Sequence, residues 1–389
     1  MPSSAPFHGD ALRIVCGHLT LKSRTLHLRL VSRACCSEVD LMGSDCLVVN
    51  GEPGPQGRES VDSMSIHSAK PGSIRQFKPR TLKLQNIGAL PPQEMRRLLE
   101  GAQGSLTSLS IQGWTPVLER NRGRFQHFYD ARSVFAAFDC ASEITELEWR
   151  QISLPLSLTL QITCCFRNLV TLRLGISAED SGDERNFFQL HALQMLPNLK
   201  ELRIVEDQDF FGHVYCPLTC LGLALAPLRN LVILDMGEVP VWKDTDAIPS
   251  LLVMLEQLKY LMELRTLMFC PAELWDQLEP NFGCLPRLHR LCLHFSEPSS
   301  EDIASFVKAI ADGLFPALQE LELVMINMED DSGMGVDEDD WDEWLLGALS
   351  RLKRGPKLKC ILLDSCDLPC DLDLLENNLA AGGVQLAFA

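Results

Sequence analysis

The sequence lacks most of the signatures that announce chemistry. It contains no GxxxxGK[ST] or GxGxxG loop to cradle phosphates, no GxSxG nucleophile elbow and no HExxH helix. No two cysteines stand at CxxC spacing, which removes the usual zinc-ribbon and redox frameworks. His213, Cys216 and Cys220 come nearest to a ligand set, as do Cys360, Cys366 and Cys370, and neither trio has an obvious fourth donor. The expectation is a chain with no catalytic residue, no metal and no cofactor.

Positive charge is scarce as well. Lysine and arginine number 35 against 52 aspartates and glutamates, a net charge of -17. Phosphate backbones and anionic headgroups repel such a chain, so neither nucleic acid nor a membrane is an expected partner. Long apolar runs are missing too. The longest charge-free run, Phe210 to Leu228, is broken by His213, Pro217 and Pro227, so it is no membrane span. The N-terminal "MPSSAPFHGDALRIV" has no charged segment followed by an apolar core, as a secretory signal requires. A cytoplasmic or nuclear location is the expectation. The fifteen cysteines are then reduced thiols used mainly as small core residues, the vicinal pairs Cys35–Cys36 and Cys164–Cys165 included.

What the chain does have is a beat. "PNLKELRIV" at 197–205 places apolar residues at Leu199, Leu202 and Ile204, and Leu-x-x-Leu-x-Leu returns with different filler along the sequence. Copies include "SLTSLSI" from Ser105, "EITELEW" from Glu143, "NLVTLRL" from Asn168 and "NLVILDM" from Asn230. Later ones are "ELRTLMF" from Glu263, "RLHRLCL" from Arg287, "ALQELEL" from Ala317 and "KLKCILL" from Lys357, and a degenerate copy, "PRTLKL", starts at Pro79. The first anchors run from 79 to 358 in nine steps, a mean of 31 residues.

Helical patterns precede many anchors: "EMRRLLEGA", "ARSVFAAFDCAS", "FFQLHALQML", "IPSLLVMLEQLKYL", "SEDIASFVKAIADGL" and "EWLLGALSRLKRG". In the fifth, Ile303, Phe306, Val307, Ile310 and Leu314 share a face, with Ser299 and Asp302 at capping-box spacing. Pro197, Pro286, Pro316 and Pro356 each stand two residues before an anchor, where proline stops a helix and favours extended backbone. "PLTCLGL" at 217–223 also has the beat, but it lies too close to the next anchor for a solenoid turn and reads as helix. Each unit is a helix, a turn and a short strand, and stacked units share one core.

This pattern resembles the leucine-rich repeat in its longer, helix-bearing form. It implies an α/β solenoid with parallel strands on the concave face and helices on the convex face. About ten irregular repeats then occupy residues 75–389. The acidic run "MEDDSGMGVDEDDWDEW" at 328–344 lacks the ligand alternation of an EF-hand loop and reads as a solvated insertion.

The first fifty residues differ. Asp10 can cap a helix carrying Leu12, Val15 and Leu19, and a second helical stretch carries Leu26, Leu30 and Val31. A piece so small barely makes a core and calls for a partner or the end of the solenoid to cover it. With "LRLVSR" at Leu28–Arg33 after "HL" at His18–Leu19, it resembles the F-box. That resemblance implies a small all-α domain over 1–48 that docks on the adaptor subunit of an SCF-type cullin–RING ubiquitin ligase. Leu12, Val15, Leu19, Leu26, Leu30 and Val31 are the implied adaptor contacts, and the Gly-, Pro- and Ser-rich 49–74 a linker. The chain would then be a non-catalytic substrate-recognition subunit. The alternative is a repeat scaffold without any ligase role.

On each strand the residue between the last two anchors points away from the core. That row reads Lys83, Ser110, Glu148, Arg173, Arg203, Asp235, Met268, Cys292, Glu322 and Leu362. Arg173 and Arg203 fall on neighbouring strands, with Arg150 on the strand before. Together they are candidate target-binding residues, able to clamp a phosphate or an acidic segment. The alternative is that Glu146, Glu148 and Glu201 neutralise them.

Overall fold

A computed structural model of the chain describes residues 46–50, 63–65, 79–87, 90–114, 131–150, 156–176, 184–206, 216–242, 253–268, 285–296, 300–326, 352, 357–364 and 372–388. The segment at 11–40 that the sequence reads as helical, with its six adaptor-contact candidates, lies outside them. So do the acidic run at 328–344, the "EWLLGALSRLKRG" segment apart from Leu352, and the Cys35–Cys36 pair. The chain forms two compact units, Met1–Leu169 and Val170–Ala389.

In the first unit, strands β1 (Cys46–Asn50), β2 (Ser63–Ser65), β3 (Thr81–Gln85), β4 (Ser108–Gln112) and β5 (Glu146–Arg150) pair in parallel in the order β2-β1-β3-β4-β5. Helices α1 (Pro92–Ala102), α2 (Ala131–Phe138) and α3 (Leu156–Thr163) connect or follow the later strands. Pro92 opens α1, where the missing proline N–H costs nothing. Met95, Leu98, Leu99 and Ala102 form its buried face.

The strands alternate as a one-sided sheet must: Leu82 and Leu84, Leu109 and Ile111, Leu147 and Trp149 are all buried, with polar residues between them. Behind them Trp114, Phe138, Trp149 and Phe166 make an aromatic cluster with ring centroids 5.5 to 5.9 Å apart. The Trp114 Nε1–H donates to the Leu90 carbonyl at 2.9 Å.

The placement of β1 departs from the sequence reading. Its residues straddle the boundary expected at 48–49 between helical domain and linker, and β2 falls inside the linker span. Leu47 and Val49 are fully buried and lie in register with Leu82 and Leu84, so this segment extends the repeat sheet.

In the second unit the parallel order is β6 (Thr171–Ile176), β7 (Glu201–Glu206), β9 (Ile233–Trp242), β10 (Glu263–Met268), β11 (Arg290–Ser296), β12 (Glu320–Ile326), β13 (Cys360–Asp364) and β14 (Gln385–Phe388). Strand β8 (Cys216–Pro217) pairs with the far end of β9. Its described residues include the helices α4 (Leu218–Leu225), α5 (Ser300–Ala311) and α6 (Leu372–Ala380), α4 being the segment whose beat the sequence assigned to a helix.

Helices α5 and α6 end alike. Gly313 (φ 95°) and Gly383 (φ 78°) take the left-handed conformation, and the amides of Leu314 and Val384 reach back to the carbonyls of Ala309 and Leu379 at 3.0 Å. This is the six-to-one closure that favours glycine after a helix.

The "FFQLHALQML" stretch, read from sequence as helical, belongs to a run of 3-10 turns over Glu184–Met195 that ends just before Leu196. Its buried leucines, Leu190, Leu193 and Leu196, recur every three residues, which matches three residues per turn. One repeat is also displaced from the expected register. Leu264 lies opposite Leu234 and Leu291, which are second anchors in their own repeats. The first anchor is therefore Leu261, fully buried, and the third is Thr266, 3% exposed. The row residue of this strand is Arg265, not Met268.

Each unit is α/β, built of leucine-rich repeats with one parallel strand per repeat. Its core is the layer between the buried strand residues and the helices that connect them.

Candidate interaction face

Strand alternation puts every second residue on the sheet face away from the core. In the second unit one register row on that face reads Arg173, Arg203, Asp235, Arg265, Cys292, Glu322 and Leu362. Two residues earlier on the same face runs Thr171, Glu201, Ile233, Glu263, Arg290, Glu320 and Cys360. Side chains in register on adjacent parallel strands lie about 5 Å apart, so opposite charges across the two rows meet.

Glu201 is the first hub. Its Oε1 accepts from Arg173 Nε at 3.0 Å and Nη2 at 2.8 Å, and from Arg203 Nε at 2.7 Å. Arg203 continues the chain by donating through Nη1 to Asp235 Oδ2 at 3.0 Å. Burial acts to raise the Glu201 carboxyl, but the hydrogen bonds from Arg203 and Arg173 outweigh it and hold the group below its usual value. For Arg203, burial works against the charge, and the Glu201 carboxylate overcomes it, raising the guanidinium above its ordinary range.

Arg290 is the second hub. Its Nη2 donates to Glu322 Oε2 at 3.1 Å, with Glu263 at 3.7 Å and Glu320 at 3.8 Å around it. The hydrogen bond to Glu322 is the main cause that raises its pKa. Cys292, 2% exposed beside it, has a thiol that burial first, and Glu322 second, push up to about 12. A thiol so held is no nucleophile at neutral pH.

The first unit shows the same chemistry on a smaller scale. The Ser110 hydroxyl donates to Glu148 Oε2 at 3.0 Å, and Arg150 Nε meets Glu148 Oε1 at 2.7 Å.

Of the three target-binding candidates, Arg173 and Arg203 stand side by side in register, and Arg150 belongs to the first unit. All three guanidinium groups are engaged by carboxylates: Glu148 for Arg150, Glu201 for Arg173, and Glu201 and Asp235 for Arg203. The arrangement is a neutralised ladder of both signs, not an open cationic clamp. Sequence reasoning missed Arg265 because Thr266 is outside the apolar set that defined an anchor. It missed the Arg290 hub because only one of the two rows was read. Reading the residue two before each row position exposes it.

Six described cysteines are thiols: Cys46, Cys140, Cys164, Cys165, Cys292 and Cys360. Burial raises the Cys164 thiol to about 11. Its neighbour Cys165 is exposed, which corrects the expectation that this pair packs in the core; only the first of the two is half-buried. No group of three His, Cys, Asp or Glu side chains among the described residues could hold a metal ion. No helix among them is long and apolar enough to cross a membrane.

No protein-family model matches the sequence, and no curated protein matches it. Among solved structures the chain is similar to the leucine-rich repeat-containing protein LegL7 from Legionella pneumophila. The two are 13% identical with a TM-score of 0.41, the match covering 78% of this chain and 89% of that one.

Proposed function

We propose that this protein is a non-catalytic interaction scaffold that holds a protein partner against the open face of its repeat sheet. The observation that carries the reading is the two-row ladder of paired arginines and carboxylates on the parallel sheet of the second unit. A surface with both signs fixed at strand spacing selects a partner by charge pattern. Arg150, Arg173 and Arg203 are the proposed target-binding residues, with their carboxylate partners setting geometry. Such a protein contributes binding energy and raises the local concentration of what it holds. It needs no cofactor, and a cytoplasmic or nuclear setting suits it.

The test is affinity purification of tagged protein with mass spectrometry, comparing wild type with an Arg173→Ala, Arg203→Ala variant, with and without phosphatase treatment of the lysate. A partner recovered by wild type and lost from the variant supports the reading. Equal recovery in both arms would remove the arginines from the binding face.

A second reading adds a ligase role, and the observation favouring it is the F-box-like segment at residues 11–40. In that reading Leu12, Val15, Leu19, Leu26, Leu30 and Val31 dock on the adaptor of an SCF-type cullin–RING ligase, and the repeats present a target for ubiquitin transfer. Leu30→Asp with Val31→Asp puts unpaired charge into that contact, costing several kcal/mol. Loss of adaptor and cullin from the purified complex, with the repeats still folded, is the expected result. Adaptor that still co-purifies with the double variant, or is absent from wild type, refutes the ligase role and leaves the scaffold.

A further inference from the structure

The turns that feed β7, β9, β10, β11 and β13 of the second unit are basic. Lys200, Arg229, Lys259, Arg287, Lys357 and Lys359 stand there, all exposed. The backbone stacks these turns directly. The amide of Val232 donates to the Lys200 carbonyl at 2.7 Å, Met262 to Val232 at 2.8 Å and His289 to Met262 at 2.8 Å. Gln319 to His289 at 2.9 Å and Lys359 to Gln319 at 2.8 Å continue the ladder. The residues entering the strands thus form one column with a step of about 5 Å. At the two positions before the buried leucine of each turn, and at the one after it, no carboxylate occurs from Pro197 to Lys359. In a chain of net charge -17 that is a segregated rim.

The rim differs from the open face in what its charges meet. On the open face Arg150, Arg173, Arg203 and Arg290 are each bonded to carboxylates. On the rim, the side chains of Lys200, Arg229, Lys259 and Lys357 have no partner among the described residues, Arg287 lies 4.8 Å over the Tyr260 ring, and Lys359 Nζ donates to Gln319 Oε1 at 2.8 Å. Tyr260 and Met262, 49% and 43% exposed, sit in the middle of this row of cations.

We propose that this rim is a second docking surface, and that its occupant is an extended acidic polypeptide segment with an apolar residue at its centre. Charge complementarity selects the carboxylates, because Lys200, Arg229, Lys259 and Lys357 hold no carboxylate among the described residues that an acidic ligand would have to displace. Tyr260 and Met262 supply the contact for the apolar residue. Nucleic acid fits less well, since the adjoining face presents Glu201, Glu263 and Glu320 to anything as broad as a duplex. The proposal extends the scaffold reading to a surface distinct from the ladder.

The test is fluorescence anisotropy on the full chain, using a fluorescein-labelled peptide of about ten glutamates around a leucine–phenylalanine pair. Saturable binding is expected, weakened at least tenfold by Lys200→Glu, Arg229→Glu and Lys259→Glu together, and weakened by raising salt, which screens such exposed charges. Tyr260→Ala alone should weaken it several-fold, and this milder variant decides the matter if the triple one fails to fold. A Lys83→Glu variant, changed at an exposed position of the first unit, should bind the probe as wild type does, which separates this surface from a general effect of net charge. Unchanged binding by the rim variants, equal binding of a lysine peptide, or tighter binding of an oligonucleotide overturns the proposal. Binding of a peptide of this chain's own residues 328–344, with none of the glutamate probe, overturns it in favour of a self-contact.

Discussion

Thr266 shows what a single residue can reveal about register. It occupies the third-anchor position of its repeat, where neighbouring strands place Met236 and Leu293. Its hydroxyl is buried without a hydrogen-bond partner. A buried hydroxyl lacking an acceptor costs about 1–3 kcal/mol. Valine has nearly the same shape and no such group, so Thr266→Val should stabilise the protein by about 1 kcal/mol, seen as a raised urea midpoint at unchanged m-value. A lowered midpoint would mean that the hydroxyl is satisfied in solution.

Glu201 makes the opposite case, a polar group with more donors than most. Its folded-state pKa is depressed, so its contribution is complete above the unfolded glutamate value of about 4.3. That contribution is lost as pH falls below this value through the folded one. Glu201→Gln should cost about 1–2 kcal/mol at neutral pH, given hydrogen bonds to charged groups at a partly exposed site. The difference between wild type and variant should shrink as pH drops below 4, when measured by urea unfolding across pH. A gap that stays constant through that window would mean that the carboxylate charge adds nothing.

At the scale of elements, legibility followed the strength of the leucine frame. Nine of the ten strands that carry a leucine beat were readable in register because a buried face repeats its apolar positions whatever the filler. Strand β1 carries the buried pair Leu47 and Val49, and β14 carries the buried Leu386, each aligned to its neighbours. They lack the first anchor: Ser44 and Gly383 stand where it would fall. Without the third apolar position, a five-residue strand is too short to distinguish from any apolar run. Strand β10 failed for a different reason. Two overlapping frames compete there, Leu261-Leu264-Thr266 and Leu264-Leu267-Phe269, and an apolar alphabet chooses the second. The ladder itself was half visible. Adjacency of Arg173 and Arg203 follows from the repeat phase, whereas the choice of Glu201 as shared acceptor depends on side-chain reach.

At the scale of the molecule, a repeat array has no centre, and each turn is held mainly by the turns beside it. In the second unit β12 covers the edge of β11 along Arg290–Ser296. Leu291 and Leu293, with Phe306, Val307 and Ile310 of α5, are all buried. Removing residues 318–389 uncovers that edge and takes Leu318, Leu321 and Leu323 out of the same core. The new terminus presents unpaired backbone groups beside a contiguous apolar surface, the combination that templates association. The truncated chain should therefore elute as higher-order species in size-exclusion chromatography with light scattering, and it should lose the cooperative melt of the full-length protein. A design that instead ends at 317 with charged residues replacing Leu291 and Phe306 should fare no better, because the charges then sit in what remains of the core. A monomeric, sharply melting 1–317 fragment would show that the repeats before β12 are self-sufficient and that the last turns serve only as a cap.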